Sequence, residues 1–222
     1  MLAKTQRSRF NKEMDAMHQN LIKLGGLIED AIGKSITALI NQDGQLAEAV
    51  IAADREINKL ANLIESEALA ILLRQQPVAS DLRVITTALK MVTDLERIGD
   101  QAEDICNIVL YLLGEDYQGK FVLIPKMAQL AREMVAGSIQ GFIRLDTNLA
   151  QEVIKKDDQI DVLFDKVRAE MIELLQQRPQ YANQAIYMMM VAKYLEKIGD
   201  HAENIADWVI FCKTGEKKNR KT

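Results

Sequence analysis

The sequence predicts an all-α protein made of two tandem, homologous three-helix bundles, with six long antiparallel helices in total. Its 222 residues include only 3 Pro and 11 Gly, and aromatic residues make up 5%. This is too few for a β fold with many turns. Hydrophobic residues make up 48% of the chain, which is enough to build a core and excludes wholesale disorder.

An internal repeat divides the chain into two halves. The stretch DLERIGDQAEDI at 94–105 recurs as YLEKIGDHAENI at 194–205, a shift of 100 residues. Nearer the start of each half the shift is 103 residues, so that Asp54 matches Asp157. Because repeated sequence implies repeated structure, we expect two equivalent units joined by short loops. The predicted boundaries are a first bundle at 1–115, a second bundle at 120–214 and a polar tail at 215–222.

Within each half the apolar residues predict three helices. In the first half they recur at steps of mostly three and four residues over 21–39, 46–69 and 84–109, which gives each helix one apolar stripe. The first helix should end near 41–44, where Asp43 is a natural N-cap for the second. Pro77 should end the second helix because it lacks an N–H group, and Ser80 could cap the third.

The second half repeats this order. Asp146 should cap its middle helix, and Pro179 should end that helix as Pro77 does in the first half. The segment 114–120 is the predicted connection between the halves.

Acidic residues form a second stripe on the third helix of each half. Glu96, Asp100 and Glu103 lie on one face, opposite the apolar stripe, and should point outward. Their counterparts are Glu196, Asp200 and Glu203. Like charges four residues apart destabilise a helix by about 0.2–0.5 kcal/mol per pair, so a plain solvated face would normally intersperse basic residues. A solvated face nevertheless remains the alternative interpretation.

Antiparallel packing should bring further oxygen-bearing side chains to the same level as these stripes. Counting outward from each turn adds residues from the first and second helix of each half: Asp54, Asn58, Glu29 and Asp30 in the first half, and Asp157, Asp161 and Glu133 in the second. Ligands that are rich in oxygen and free of sulfur suit Mg²⁺, Ca²⁺, Mn²⁺ or iron. We therefore predict a surface belt in each half that binds metal ions, with bridging carboxylates able to hold more than one.

Histidine contributes little to these belts. His201 follows Asp200, but its counterpart is Gln101, so a ligand role is possible and an exposed or supporting role is favoured. A di-iron oxidase would need Glu-x-x-His pairs on facing helices, and the only comparable pair is Asp15 with His18.

Charge, hydrophobicity and the absence of known motifs argue against several functional classes. The net charge is −4, which argues against a dedicated nucleic-acid binder. The N-terminus has no apolar signal region and no apolar run reaches about 18 residues, so a cytoplasmic protein that reaches membranes only through partners is expected. There is no phosphate-binding glycine loop and no evident nucleophilic triad, which favours a protein that is not an enzyme.

The repeated LERIGD and LEKIGDHA stretches closely resemble the signature of the PhoU family. The segment 75–83 (QQPVASDLR) resembles the family's motif before its third helix, and 25–29 and 54–58 also fit. The resemblance implies a two-bundle helical protein whose Glu/Asp-x-x-x-Asp motifs bind multinuclear metal clusters. It carries this role to four pairs of residues: Glu96 with Asp100, Glu196 with Asp200, Asp54 with Asn58, and Asp157 with Asp161.

The same resemblance implies a regulator of phosphate homeostasis. Proteins of the family restrain a high-affinity phosphate ABC transporter and help to silence a phosphate-sensing two-component system. The implied partners are the transporter ATPase and the sensor histidine kinase, and homodimers are common. The alternatives are a helical adaptor for another transporter and a carboxylate-metal enzyme.

Overall fold

The computed structural model describes residues 2–115 and 122–216, and it is helical throughout these ranges apart from the turns. Six α-helices account for nearly all of the described residues: α1 Leu2–Asn41, α2 Gly44–Gln75, α3 Ser80–Tyr111, α4 Leu123–Arg144, α5 Thr147–Gln177 and α6 Ala182–Thr214. A short 3₁₀ turn, Pro179–Tyr181, precedes α6. The predicted all-α fold of two three-helix bundles is confirmed. Residues 116–120 of the predicted connection and 217–222 of the predicted tail lie outside the described residues.

Two of the three predicted helix caps are confirmed. The Asp43 carboxylate accepts a 3.0 Å hydrogen bond from the N–H of Leu46, and the Asp146 carboxylate accepts bonds from the two N–H groups at 148 and 149. The prediction for Ser80 is wrong. Ser80 is the first residue of α3, and the cap position belongs to Ala79, whose φ is 50° and which offers no side-chain bond.

Helix α1 is longer than its predicted apolar stripe. Phe10, Met14 and Met17 are buried and continue the stripe toward the N-terminus. The added turns pack beside the α2–α3 connection, where Arg7 forms a 2.6 Å ion pair with Asp81. The two halves therefore differ in length at their first helix, which has 40 residues in α1 and 22 in α4.

The two halves pack against each other through α1 with α4 and through α3 with α6. Arg83 Nε donates a 3.1 Å hydrogen bond to the carbonyl of Cys212 at one end of the α3–α6 pair. Tyr111 stacks on Tyr187 at the other end, with 5.8 Å between ring centroids. Because the start of α3 lies at the end of α6, these two helices are antiparallel, and the apolar cores of both halves merge along them. Among the described residues, no helix is both long and apolar enough to cross a membrane.

Candidate metal centres

The first group of acidic side chains lies between α2 and α3. Asp54 of α2 is buried, with 8% of its surface exposed. Its Oδ2 accepts a 2.6 Å hydrogen bond from Asn58 Nδ2, whereas its Oδ1 is buried and has no hydrogen-bond donor. A buried carboxylate oxygen without a donor is energetically costly unless a cation or water satisfies it.

Gly99 of α3 makes room for this carboxylate. A Cβ atom built on Gly99 would lie 3.3 Å from Asp54 Oδ1 and 3.1 Å from Cγ2 of Ile57. A Cβ here would crowd both side chains by a few tenths of an ångström, so glycine allows the close approach of α2 despite a cost of about 1 kcal/mol in helix propensity. The element that approaches the α3 backbone at this glycine is helix α2.

Asp54 shares its surroundings with acidic side chains of α3. Burial raises the pKa of Asp54 above its usual range, and the charges of Asp100 and Glu96 raise it further. Burial also raises the pKa of Glu103, with added repulsion from Asp54 and Asp100. We call this set the first carboxylate cluster; its members are Asp54, Asn58, Glu96, Asp100 and Glu103.

The equivalent residues of α5 and α6 form the second carboxylate cluster, whose members are Asp157, Asp161, Glu196, Asp200 and Glu203. Burial is the main cause that raises the pKa of Asp157 to about 7, followed by the charges of Glu203, Asp200 and Asp161. The Asp157 Oδ1 is buried without a donor, and it lies 3.2 Å from a Cβ built on Gly199. The geometry of the first cluster is therefore repeated.

The expectation of fully outward-facing belts needs a correction. Glu96 is exposed, as predicted, but Asp54 is buried because α2 packs closely over Gly99. In the second half the Glu196 side chain is only 13% exposed. Each cluster is thus a partly covered seam between two helices.

Basic side chains distinguish the two clusters. In the second cluster Lys193 Nζ lies 2.7 Å from Glu196 Oε2, and Lys197 Nζ contacts Asp200 directly. The hydrogen bond and charge of Asp200 raise the pKa of Lys197. In the first cluster Arg97 Nη1 lies 3.4 Å from Asp100 Oδ2.

Three predicted acids of α1 and α4 lie outside both clusters. Burial raises the pKa of Glu29, which faces the Arg132 charge of α4. Asp30 forms a 2.6 Å ion pair with Lys34, and Glu133 forms a 2.6 Å pair with Lys156. Counting residues from each turn predicted only their positions along the bundle axis, and it assumed straight helices. It did not specify which way each side chain points around its helix.

His201 has a partner across the two halves. Its Nδ1 lies 2.8 Å from Oδ1 of Asp94 on α3. Because Asp94 corresponds to Tyr194 in the repeat, this contact has no counterpart. The sequence analysis missed Asp94, and it also missed Asp104, whose pKa is raised by burial and by Asp100. Asp104 could have been recognised from the sequence, because it directly follows Glu103.

The donor sets fit a hard cation in their chemistry. Each cluster joins carboxylate oxygens from two helices, and each includes a buried Asp oxygen without a donor. Oxygen donors of this kind suit Mg²⁺, Ca²⁺, Mn²⁺ or iron. Within 2–115 and 122–216, however, no three His, Cys, Asp or Glu side chains are already arranged to hold a metal ion. The side chains would therefore have to move on binding.

Comparison with known proteins identifies the family. The PhoU domain model matches residues 21–109 and again 124–209, one match in each half. The chain belongs to the PhoU family. It is 35% identical over 209 residues to a phosphate-specific transport system accessory protein PhoU homolog of Pseudomonas putida, covering 93% of this chain and 81% of that protein.

Solved PhoU structures share the fold. The crystal structure of PhoU from Pseudomonas aeruginosa matches with a TM-score of 0.88 and 33% identity, covering 93% of this chain and all of that chain. The phosphate transport system regulatory protein PhoU from Streptococcus pneumoniae matches with a TM-score of 0.87 and 27% identity, covering 94% and 98%. The two PhoU matches correspond to the two bundles, and each contains one complete carboxylate cluster.

Proposed function

We propose that this protein restrains phosphate uptake by a high-affinity phosphate ABC transporter and helps to silence phosphate-starvation signalling. Membership of the PhoU family supports the proposal, as do relatives whose names place them in phosphate transport. The protein acts in the cytoplasm, as a homodimer, through contacts with the transporter ATPase and the sensor histidine kinase. It works by binding and not by catalysis.

The proposal includes a metal ion, of Mg²⁺, Ca²⁺, Mn²⁺ or iron, in each carboxylate cluster. The observation that carries this part is the buried Asp54 carboxylate, which has an oxygen without a donor and which faces Asp100 and Glu96. Asp157 repeats the arrangement with Asp200 and Glu203. Removing such charges from water is costly unless a cation compensates them.

The residues of both helices would share the ligand role in each cluster. Asp54, Glu96 and Asp100 would hold the ion of the first cluster, with Asn58 as a neutral oxygen donor. Asp157, Asp161, Glu196 and Asp200 would hold that of the second. A bound cation supplies the positive charge that lets these carboxylates approach one another. Because the ligands come from α2 with α3 and from α5 with α6, they tie each helix pair together and shape the surface offered to partners.

A phosphate-starvation reporter read in high phosphate tests the regulatory part. We expect loss of the gene to derepress the reporter and the wild-type gene to silence it again. The combined variant Asp100→Asn/Asp200→Asn should fail to silence it, whereas Glu48→Gln/Glu152→Gln, which removes two exposed charges elsewhere on α2 and α5, should succeed. A reporter that stays silent without the gene would contradict the proposed regulation and favour an adaptor of another transporter.

Metal analysis of the purified protein tests the site separately. We expect bound metal in the wild type and in Glu48→Gln/Glu152→Gln, and its loss in Asp100→Asn/Asp200→Asn. An unchanged metal content in the last variant would show that the clusters are not the metal site.

A further inference from the structure

Lys193 is held at the second carboxylate cluster by contacts with two helices. Its ammonium group lies 2.7 Å from Glu196 Oε2 and 5.3 Å from the centre of the Phe164 ring on α5. Its charge also acts on Asp161, which is on α5 as well. Lys193 therefore sits at the mouth of the seam between α5 and α6.

Lys197 supplies a second positive charge one turn further along α6. Its Nζ lies 3.6 Å from Glu196 Oε2 and contacts Asp200 Oδ2 directly. Glu196 and Asp200 thus have ammonium groups on the oxygens that they would give to a metal ion. A cation and an ammonium group cannot occupy the same side of a carboxylate without strong repulsion.

The first half has a different arrangement at the matching positions. Thr93 replaces Lys193, and its hydroxyl donates to the carbonyl of Leu89 within its own helix. Ala61 stands where Phe164 stands in the second half. Arg97 replaces Lys197, and its side chain is 64% exposed and lies 3.4 Å from Asp100. The first cluster therefore carries fewer basic contacts.

We propose that Lys193 and Lys197 are built-in counter-ions of the second carboxylate cluster, which a divalent cation must displace in order to bind. This inference rests on the proposed metal binding. The residue at position 93 in the first half, or at 193 in the second, then determines how tightly that cluster binds a divalent cation. A lysine there competes with the cation, whereas a threonine does not. Binding at the second cluster also turns two ammonium groups out onto the surface of α6.

Exchanging the two residues between the halves tests the proposal. In an Asp100→Asn background, which leaves the second cluster intact, Lys193→Thr should tighten Mn²⁺ binding by about threefold to tenfold, the scale of one partly exposed ion pair beside a divalent charge. In an Asp200→Asn background, Thr93→Lys should weaken binding at the first cluster by a similar factor. Isothermal titration with Mn²⁺ measures both. Lys213→Thr, near the end of α6, is the control for a general loss of charge.

A chemical readout follows the displaced groups independently of affinity. Acetylation by a trace of acetic anhydride, read by mass spectrometry, should modify Lys193 and Lys197 several-fold faster when saturating Mn²⁺ is present. Lys213 should react at the same rate with and without Mn²⁺.

The outcomes separate the two proposals. If the unsubstituted protein binds none of Mn²⁺, Mg²⁺, Ca²⁺ and Fe²⁺, metal binding by the clusters and the counter-ion role both fall; if it binds one of the other three and not Mn²⁺, the exchanges are measured with that ion. If it binds Mn²⁺ but the two exchanges change the dissociation constant by less than twofold, or no more than Lys213→Thr does, only the counter-ion role falls. Unchanged acetylation of Lys193 and Lys197 would overturn it as well.

Discussion

Replacing Asp157 with Asn should stabilise the protein when no divalent cation is present, and the gain should grow with pH. The pKa of this carboxyl is 3.8 before folding and about 7 in the folded protein. The raised value means that the charged form is disfavoured in the folded state. The cost is absent below pH 3.8, increases as the pH rises, and is complete above pH 7. Asn is neutral at every pH and avoids it.

The size of the effect follows from the shift. A rise of about three pKa units corresponds to about 4 kcal/mol at 1.36 kcal/mol per unit. Because Asp157 is only partly buried, solvent screening reduces this to about 2 kcal/mol at pH 8. At pH 5 the carboxyl is mostly protonated in the folded protein, and the expected stability gain of Asp157→Asn falls to about 1 kcal/mol. In a chain of this size, 2 kcal/mol raises the melting temperature by about 4–8 °C.

Thermal unfolding followed by circular dichroism, in EDTA at pH 5 and pH 8, measures the effect. The control is Glu152→Gln, which removes an exposed charge from the same helix and should change stability by less than about 0.5 kcal/mol. A gain for Asp157→Asn that is equal at both pH values would refute the electrostatic reasoning, and so would a loss of stability at pH 8.

Three further predictions concern the packing and the caps. In urea unfolding, Gly99→Ala should lower the free energy of unfolding by about 1–2 kcal/mol, because the added Cβ meets α2 side chains at 3.1 and 3.3 Å. Gly26→Ala has nothing within 4 Å of its Cβ and should raise that free energy by about 0.5–1 kcal/mol. Equal effects at the two glycines would contradict the close-packing explanation. Asp43→Ala should cost about 1 kcal/mol in the same assay, because α2 loses its N-cap bond. A double-mutant cycle on Asp94→Asn and His201→Gln should give a coupling energy of about 1 kcal/mol, and a value near zero would show that their 2.8 Å contact does not hold the halves together.

The sequence predicted the helices well because helical periodicity is a local property. Steps of three and four apolar residues need no knowledge of tertiary contacts, and the caps at Asp43 and Asp146 depend only on neighbouring N–H groups. The prediction of a Ser80 cap failed because α3 already begins at Ser80, so the cap position falls on Ala79, whose φ is 50°. That outcome depends on dihedral angles, which a list of favoured cap residues does not provide.

The candidate site was predictable in its centre and not at its edges. Counting from the turns correctly placed Asp54 beside Asp100 and Asp157 beside Asp200, because both helices of each pair meet at a short turn. Counting did not predict that Glu133 points toward Lys156. The position of a residue along the bundle axis does not determine the direction of its side chain around the helix. The lysine contacts of the second cluster could not be predicted either, because they depend on the conformations of long side chains.

The internal repeat shows which features the fold itself requires. Gly99 and Gly199 occur in both halves because each lets a carboxylate and an Ile side chain lie against a helix backbone. Close packing at this point brings the helices together at the cost of burying a charge. The basic residues obey no such constraint, since Lys193 and Thr93 both lie at the exposed rim. A change at the rim can therefore adjust the charge balance of one cluster without disturbing the packing beneath it. This is the basis on which we propose unequal cation affinities for the two clusters.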